Sequence, residues 1–341
     1  MVTRAHFLPF LERVRGLPTL PAAFVYPCDR DALQLAVSIA FAGALAPLLV
    51  GPEIRIRDVA SHAGIDIGQL PIEDTADSPR AGVHRAVELA RAGSVAALVK
   101  GTLGTEELLG PVAAPDSGLR GLRRLSHASF LDLPGQPRGL LLADAALNIA
   151  PNLAAKRDIL HNSIDLARAL DVPTPRVALL AATDTVHPAL PSTADADALR
   201  AMASLGVFGD AIVDGPLAAD SALSAAAAAA NGRESAVTGQ PDILIVPGME
   251  SGALLLRTLT ALTGGLAAGL VLGADLPIVA PARTDSMEAR IASCMLAALF
   301  AAFLAATRKA DEPPSDSAPA AEVVTPPAAE RILAGRRSAA P

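Results

Sequence analysis

The sequence predicts an α/β protein built from mainly parallel sheets. Short apolar runs of β type alternate with helix-length segments over most of the chain, a pattern typical of βα units. Hydrophobic residues make up 51% of the 341 residues and charged residues 18%, a balance that fits buried strands covered by helices. At roughly 100 to 200 residues per domain, the length indicates two domains and a tail.

Ten strands and seven helices are predicted along the chain. The strands are short apolar runs at 23–26, 47–50, 95–99, 128–133, 139–143, 177–181, 211–215, 243–247, 269–273 and 277–280. The helices are predicted at 30–42, 82–92, 153–170, 196–205, 217–230, 252–262 and 286–306. The run of six alanines at 225–230 favours helix by propensity and ends at Asn231-Gly232, a pair suited to a C-cap.

The predicted domain organisation has four parts. Residues 1–21 read as a linker-like segment. Residues 22–143 together with 271–310 are expected to form a first, discontinuous α/β domain, and 144–270 a second one. Residues 311–341 mix Pro, Ser, Ala and charges without a sustained apolar face, so this tail is expected to be disordered.

Composition argues against nucleic acid and membrane partners. The net charge is −7 and no Lys/Arg block is interleaved with aromatic residues, so a phosphate-backbone surface is not expected. Cys28 and Cys294 form no metal pair or disulfide framework, which indicates a reducing compartment and hence the cytoplasm. Of two apolar stretches, 33–50 splits into helix, turn and strand, and 291–306 is shorter than the roughly 20 residues that a bilayer needs.

Ligand sites in such sheets lie beyond the carboxyl ends of strands, where helix N-termini present free N–H groups. Polar residues that follow predicted strands are therefore the candidate binding residues: Lys100, Asp144, Asn148, Thr193, Asp214, and Arg283, Asp285 and Ser286 in the turn "APARTDS" at 280–286. Each of the first five also has a structural interpretation. Lys100 can be an exposed lysine, Asp144 and Asn148 can bond their own backbone, Thr193 can be an N-cap, and Asp214 can begin a turn.

Arg283 is the most informative of these residues. It lies at the N-terminus of a predicted helix, where a cation gains nothing from the helix dipole. A bound phosphate or carboxylate would reverse that disadvantage, and a structural salt bridge to Asp285 is the alternative. Asp285 and Glu288 have the spacing of a capping box, so Asp285 or Ser286 can also start the helix.

Other site types find no support in the sequence. The six histidines have no metal-ligand spacing, and no metal site is expected. A Walker loop, a G-x-G-x-x-G motif and a G-x-S-x-G elbow are all absent. A nicotinamide-dependent dehydrogenase would also need a metal-binding carboxylate cluster and an adenine-binding loop, and the sequence shows neither.

Taken in order, the stretches "PCDRDAL", "LLVGPE", "KGTLGTEELLGPV", "GLRGLRRLSH", "DAALNIAPNLAAKRDILHNSIDLARAL", "PSTADADAL", "DGPLAADSALS", "DILIVP" and "LGADLPIVAPARTDS" resemble the phosphate acetyltransferase/butyryltransferase family. The similarity covers about residues 22–306. It is closest to the branch found as the C-terminal half of fusions with a MaoC-like enoyl-CoA hydratase domain, and 1–21 looks like the remnant of the linker.

The resemblance implies a two-domain fold like that of isocitrate and isopropylmalate dehydrogenases, with a cleft between the domains. It implies reversible transfer of a short acyl group between CoA and inorganic phosphate, without a metal or organic cofactor, by a homodimer. Arg283 matches the family arginine that acts on phosphate or the thioester carbonyl, and Asp285 is expected to be catalytic beside it. Phosphate or CoA binding is expected of Lys100, Asp144, Asn148, Thr193, Asp214 and Ser286.

The chain departs from the family pattern at five positions. Ala282 replaces the serine that precedes the arginine, and Gly248 and Ala253 replace the Asp and Asn of "PDLEAGN". Gly110 stands where many acetyltransferases have the arginine of Leu-Arg-Pro, and Ala219 stands where a large aromatic residue is common. These changes favour either a weakened relative that binds CoA or acyl phosphate or serves as a partner subunit, or an acyl pocket widened for a longer chain.

Overall fold

Eleven strands form one mixed sheet, which the computed structural model describes together with its helices over residues 4–311. The strands are β1 (Leu20–Val25), β2 (Leu45–Gly51), β3 (Ile72–Asp74), β4 (Ala97–Lys100), β5 (Ser126–Asp132), β6 (Leu140–Ala143), β7 (Arg176–Leu180), β8 (Ile212–Leu217), β9 (Ile243–Ile245), β10 (Leu266–Leu272) and β11 (Ile278–Val279). Their spatial order is β3-β2-β1-β4-β11-β10-β5-β6-β9-β7-β8. Residues up to Ala305 form one compact unit.

Eleven helices are present in the described chain. They are α1 (Leu8–Arg15), α2 (Arg30–Ala42), α3 (Glu53–Ala63), α4 (Pro79–Arg91), α5 (Thr105–Ala113), α6 (Leu153–Ala169), α7 (Pro191–Ser204), α8 (Ala219–Leu223), α9 (Ala225–Ala230), α10 (Met249–Thr263) and α11 (Met287–Asp311). α2 shows how local sequence sets the boundaries. Its N-cap Asp29 accepts a hydrogen bond from the Ala32 N–H, and Gly43 ends it in the left-handed conformation at φ 67°.

Strand direction reverses three times in the middle of the sheet. β11–β10, β10–β5 and β5–β6 are antiparallel pairs, whereas every other pair is parallel. Three reversals separate β11 from β6. The strands β1, β2, β3, β4 and β11 therefore run opposite to β6, β7, β8 and β9. The predicted mainly parallel α/β architecture is confirmed, but the carboxyl ends of its two halves lie at opposite edges of the sheet.

The hydrophobic core differs between the two faces of the sheet. On one face it is continuous and includes Ala22 and Phe24 of β1 with α1, α2, α3, α6, α7 and α11. On the other face it is split: Ala23 and Val25 pack with α4 and α5, while a separate cluster joins the β6–β9 region to α8 and α10. Side chains of a strand alternate between faces, so one sheet supports both arrangements.

All ten predicted strands are present, and one strand and three helices are present that the sequence does not predict. β3 is a three-residue edge strand with two acidic residues, too short to show a period. The unpredicted helices are α1, α3 and α5. The single helix predicted at 217–230 is wrong at its start and in the middle, because Leu217 belongs to β8 and Ser224 interrupts the helix and caps α9. Its predicted end at Ala230, with Asn231 as the C-cap, is confirmed.

The linker-like interpretation of residues 1–21 is wrong for the part that the structure describes. α1 lies within it, and Phe7 and Phe10 pack edge to face on Phe130 of β5, with ring centroids 5.0 and 4.9 Å away. One sheet crosses the predicted domain boundaries after residues 143 and 270. The division into two domains at these boundaries stays a prediction. Apart from Asp311, the predicted tail lies outside the described residues.

The two apolar stretches are core elements. Residues 33–50 divide into α2, a turn at Gly43 and β2, as predicted. Residues 291–306 lie in α11, whose Met287–Ala310 segment has the length and hydropathy of a membrane span, but 67% of its apolar 18-residue window is buried inside the protein. A helix buried to this extent is accounted for by its packing in the core.

Candidate functional site

A cleft lies on the face where the core is split, between the two separate clusters. Its floor is the middle of the sheet, where β5 and β10 present His127, Ser129, Ala267 and Gly269. These side chains are small or polar, in contrast to the leucines and isoleucines that hold helices against the sheet elsewhere. These four positions offer a helix little apolar surface to pack on, which is consistent with the open cleft above them.

The cleft has a volume of about 1450 Å³, well above the roughly 300–1,000 Å³ of most small-molecule sites. One wall is formed by α5 and the loop at 120–125, and the other by α10 and the loop at 145–149. The turn at 280–285 closes one side. Both walls carry arginines, and the volume suits a ligand the size of a nucleotide-bearing cofactor.

The turn that follows β11 is held by its own polar groups. The Ala282 N–H donates to Asp285 Oδ2 at 2.8 Å, and Ser286 Oγ accepts the Ala289 N–H at 3.2 Å as the N-cap of α11. Ser286, not Asp285, therefore starts the helix. The salt bridge that was the alternative for Arg283 is absent, because Asp285 is engaged with the backbone.

Arg283 is exposed in this turn, and within the described residues its guanidinium makes no hydrogen bond or ion pair. A cation left without an internal partner at a helix N-terminus has the arrangement expected of an anion site. The neighbouring Ala282, Thr284 and Asp285 line the cleft. The turn therefore places Arg283 beside the cleft, and its assignment as a catalytic residue stays a prediction.

Two further cations lie around Arg283. Lys100, at the end of β4, is half-buried and donates to the Leu103 carbonyl at 3.2 Å, so it is not the exposed lysine of the structural interpretation. Burial lowers the pKa of Lys100, and the nearby Arg290 and Arg283 guanidinium groups lower it further, against Asp29 and Asp285. A bound anion would offset the repulsion between Lys100 and the two arginines.

Arg290 is a site residue that sequence reasoning missed. Its Nε donates to the Asp285 carbonyl at 3.1 Å, and its Nη2 lies 3.4 Å from the Ala282 carbonyl and 3.2 Å from that of Arg283. The Arg290 guanidinium thus contacts three backbone carbonyls of the turn. The backbone N–H groups of the turn point away from it. A signal was present: Arg290 is a cation in the first turns of a helix, where the dipole disfavours it.

Asp144 and Asn148 form a buried network under the cleft. Asp144 Oδ1 accepts the Ala146 and Leu147 N–H groups at 2.9 and 3.0 Å. Its Oδ2 accepts the His127 N–H at 3.1 Å and Asn148 Nδ2 at 2.6 Å. The structural interpretation is thus correct for the Asp144 carboxylate, while Asn148 also lines the cleft. Their predicted role in binding substrate stays a prediction.

Thr193 and Asp214 are not brought to this cleft. Thr193 is buried inside α7, with Oγ donating to the Leu190 carbonyl at 2.7 Å, and Leu190 rather than Thr193 is the N-cap. Asp214 lies in β8, within the predicted strand at 211–215, and beside Arg233 at 3.5 Å, so the alternative in which Asp214 begins a turn is wrong. Both residues belong to the half of the sheet whose carboxyl ends point away from those of β4 and β11. Their predicted substrate contacts stay untested.

The five departures from the family pattern fall into three groups. Ala219, at the start of α8, does not line the cleft. Gly110, Ala253 and Ala282 line the cleft. Gly248 is the N-cap of α10, and a Cβ there would lie 2.9 Å from the Ile149 carbonyl oxygen. The backbone at Gly248 is therefore packed against the 145–149 loop in a way that an aspartate would not fit without a shift.

Arginines on the cleft walls were also not among the predicted site residues. Arg120, Arg123 and Arg124 lie on one wall and Arg257 on the other. Arg123 is paired with Asp165. Arg120, Arg124 and Arg257 are exposed and carry no ion pair among the described residues. The three arginines in "RGLRR" at 120–124 were a usable signal, because such density of cations beside a strand is uncommon in an acidic chain. Within residues 4–311 no group of His, Cys, Asp or Glu is arranged to hold a metal ion.

Comparisons with known proteins relate the chain to one family. The family model "Phosphate acetyl/butaryl transferase" matches residues 80–298. A phosphate acetyltransferase of Rhizobium meliloti is 46% identical over 277 residues, 81% of this chain and 87% of that protein. A phosphate butyryltransferase of Clostridium beijerinckii is 32% identical, over 87% of this chain and 98% of its own.

A solved structure agrees with the sequence relatives. The crystal structure of a branched-chain phosphotransacylase from Enterococcus faecalis superposes with a TM-score of 0.72 at 26% identity, covering 83% of this chain and 99% of its own. The predicted dehydrogenase-like fold is thereby confirmed. With a family model over most of its length and relatives above 40% identity, this chain belongs to the phosphate acetyl/butaryl transferase family.

Proposed function

We propose that this protein transfers a short acyl group reversibly between CoA and inorganic phosphate, by direct attack of phosphate on the thioester. The observation that carries the proposal is Arg283, a guanidinium without an internal partner beside a large cleft. The family to which the chain belongs is named for this reaction.

The phosphate end of the site is the group of cations at the carboxyl ends of β4 and β11. Arg283 offers a planar fork of N–H donors suited to a phosphate dianion. Lys100 supplies a second charge, and its pKa is lowered first by burial and then by the nearby Arg290 and Arg283 guanidinium groups. Arg290 keeps the turn in shape. Removing the anion from water strengthens each of these interactions.

The CoA end of the site is the opposite, arginine-lined part of the cleft. CoA carries a pyrophosphate and a ribose phosphate, and Arg120, Arg124 and Arg257 are free to contact them. Leu122 and Ile149, both largely exposed at the rim, offer apolar contact for the adenine and the pantetheine arm. The acyl thioester then reaches the floor formed by β5 and β10.

The chemistry needs positioning and charge stabilisation more than it needs a covalent enzyme intermediate. A phosphate oxygen forms a bond to the thioester carbon, the carbonyl π electrons move to oxygen, and the tetrahedral intermediate collapses with loss of the CoA thiolate. Phosphate is the nucleophile and the arginines supply the positive charge. We accordingly propose that no metal or organic cofactor takes part, so dialysis against EDTA is expected to leave turnover unchanged.

The direct test is incubation of the purified protein with phosphate and acetyl-, propionyl- or butyryl-CoA, following release of free thiol. Phosphate-dependent thiol release with at least one of them is expected. Release that is no faster than in the absence of protein for all three would reject the assignment. The relative rates also report the acyl chain for which the cleft is shaped.

A second candidate is a weakened relative that binds CoA or acyl phosphate or acts as a partner subunit, as Ala253 and Ala282 suggest. The structure selects which reversions to combine. Ala253→Asn and Ala282→Ser point into open space at the cleft, whereas Gly248→Asp meets the Ile149 carbonyl. If each restored hydrogen bond contributes about 1.5–3 kcal/mol, the two together contribute about 3 kcal/mol or more, and kcat of the double variant rises at least about 100-fold.

That result would identify the wild type as weakened. If the wild type already turns over rapidly and the double variant is no faster, the second candidate, a weakened relative, is rejected. Gly110→Ala, a change that lines the same cleft and restores no polar group, is the matched control and is expected to leave kcat within about twofold.

Arg290→Met tests the support of the active turn. The variant loses three contacts to backbone carbonyls of residues 282, 283 and 285 while keeping most of the side-chain volume. We expect kcat/KM for phosphate to fall about 10- to 100-fold, because misplacement of a catalytic group by about 1 Å has effects of this size. Arg290→Lys, which keeps one point charge, should recover part of the loss. Unchanged phosphate kinetics in Arg290→Met would show that the turn holds its shape without this guanidinium.

Three wider features complete the proposal. We infer a homodimer, supported by α10, on which Leu254 and Leu262 are 70% and 81% exposed and Gly252 alone is buried. We infer membership of the branch that is fused elsewhere to a MaoC-like hydratase domain, on the motifs quoted above. We expect a soluble, cytoplasmic location, supported by two free buried cysteines.

A further inference from the structure

His127 is a half-buried residue whose side chain makes no hydrogen bond among residues 4–311. It lies near the start of β5 and lines the cleft. Its Nδ1 is buried and makes no hydrogen bond. Its backbone N–H is fixed by Asp144 Oδ2 at 3.1 Å, so the position of the residue is well determined although its ring is not satisfied. Buried polar atoms of this kind are uncommon and often mark functional sites.

The imidazole lies across Gly269 on the neighbouring strand. A Cβ on Gly269 would be 2.4 Å from Nε2 of His127, so only glycine leaves room for the ring in this orientation. Gly269 lines the cleft as well. The Nε2 side of the imidazole therefore lies on the floor of the cleft, while the Nδ1 side is enclosed by protein.

This orientation decides which nitrogen carries the proton. A neutral imidazole has one donor and one acceptor nitrogen, and a proton on the enclosed Nδ1 would bury its only donor without an acceptor. We assign the proton to Nε2, which can reach water or a ligand in the cleft. Burial lowers the pKa of His127, and the Asp144 and Asp285 carboxylates offset this only in part, so the ring is neutral near neutral pH.

Among the described residues, Ser129 is the other side-chain donor that β5 and β10 place on the floor near Nε2. The turn residue beside the cleft is Ala282 where relatives are expected to have serine, and the nearby floor consists of Ser129, Ala267 and Gly269. Ser129 is a hydroxyl on the same floor and strand, two residues further along β5. The floor thus offers one fixed N–H at the place to which the thioester is delivered.

We propose that His127 is a catalytic residue whose Nε2–H donates a hydrogen bond to the carbonyl oxygen of the acyl-CoA thioester. This inference rests on the proposed function. When a phosphate oxygen bonds to the carbonyl carbon, the π electron pair moves to the oxygen, and Nε2–H stabilises that oxyanion. The pair then re-forms the carbonyl and the C–S bond breaks, with its electrons leaving on the CoA sulfur. His127 keeps its proton throughout, as a neutral imidazole can when it acts as an electrophile.

The kinetic test compares variants of one side chain. His127→Ala is expected to lower kcat about 10²- to 10³-fold with the KM for phosphate unchanged, the loss typical of one oxyanion donor. His127→Gln, which retains an N–H donor, should recover at least about tenfold of that loss. The matched control is His161→Gln, a half-buried histidine that packs on Phe208 at 4.8 Å outside the cleft, and it should keep wild-type kcat.

Gly269→Ala gives a second kinetic test that leaves His127 in place. The added methyl group must displace the imidazole, so kcat is expected to fall toward that of His127→Ala while circular dichroism and the urea midpoint stay near wild type. If His127→Ala and Gly269→Ala both keep kcat within about twofold of an active wild type, the inference is overturned and the proposed function stands.

An NMR titration provides a readout that needs no turnover. The probe is S-acetonyl-CoA, a ketone analogue in which a methylene separates sulfur and carbonyl, so that no acyl transfer follows binding. With ¹⁵N-histidine-labelled wild type, the Nε2 resonance of His127, identified by its loss in His127→Gln, should shift with this probe and not with CoA alone. A wild type without thiol release from any acyl-CoA overturns the proposed function. In that case an unshifted Nε2 resonance overturns the role of His127 as well.

Discussion

Replacing Arg283 by glutamine is expected to lower kcat/KM for phosphate about 10²- to 10³-fold, an effect as large as that expected for His127→Ala. The guanidinium has no partner within the described residues, so its loss removes nothing from the folded structure. In the proposed function, its positive charge acts on the phosphate and the oxyanion. Stability, measured by the urea midpoint, should therefore remain at the wild-type value.

The conservative variant and a control separate charge from geometry. Arg283→Lys should restore only part of the activity, because an ammonium group is a point charge without the planar fork that binds two phosphate oxygens. Arg57→Gln removes an exposed arginine that pairs with Glu53 on α3, and should leave activity unchanged. If Arg283→Gln keeps wild-type kcat/KM for phosphate, other residues such as Lys100 bind the phosphate. The unpaired guanidinium of Arg283 would then no longer support the proposed function.

Replacing Asp144 by alanine is expected to cause the largest loss of stability, about 3 kcal/mol or more. Its two carboxylate oxygens accept three backbone N–H groups and the Asn148 amide in a buried site, and each buried donor left unpaired costs about 1–3 kcal/mol. Asp144→Asn keeps one carbonyl acceptor and should lose roughly half as much. Urea unfolding followed by circular dichroism measures both.

Asp66→Ala is the matched control for Asp144. Asp66 is also an aspartate that accepts a backbone N–H, from Gly68 at 2.9 Å, but it is exposed, so water replaces the lost bond. We expect a change within about 0.5 kcal/mol. An Asp144→Ala variant as stable as Asp66→Ala would show that the loop at 145–149 rearranges to satisfy its own N–H groups.

Much of the local structure could be predicted from sequence. β-type apolar runs located all ten predicted strands, because buried parallel strands are continuous apolar segments. The boundaries of α2 could be read from Asp29 and Gly43, since caps act over a few residues. β3 and α1, α3 and α5 could not be found in this way. They are short or strongly polar, and tertiary packing rather than their own periodicity stabilises them.

The candidate site was predicted less completely than the fold. The turn with Arg283 follows from a strand end, a helix start and an unfavourably placed cation, all of which are local features. Thr193 and Asp214 were chosen by the same rule, which assumes that all strands end on one side of the sheet. Three antiparallel pairs in the middle of the sheet break that assumption, and no local pattern predicts them. Of the candidates that follow strands of the oppositely directed half, only Asn148, after β6, lines the cleft.

The sequence by itself determined the α/β class, the order of the elements and the family, because these depend on apolar periodicity and on ordered motifs spread along the chain. Only the tertiary structure decided which residues meet. The split core leaves a cleft whose floor brings His127 of β5 against Gly269 of β10, residues 142 positions apart. It also showed that Arg290 holds the turn and that Asp285 is committed to Ala282. Such contacts depend on how strands pair and which face each side chain takes, and these are set by packing over the whole sheet.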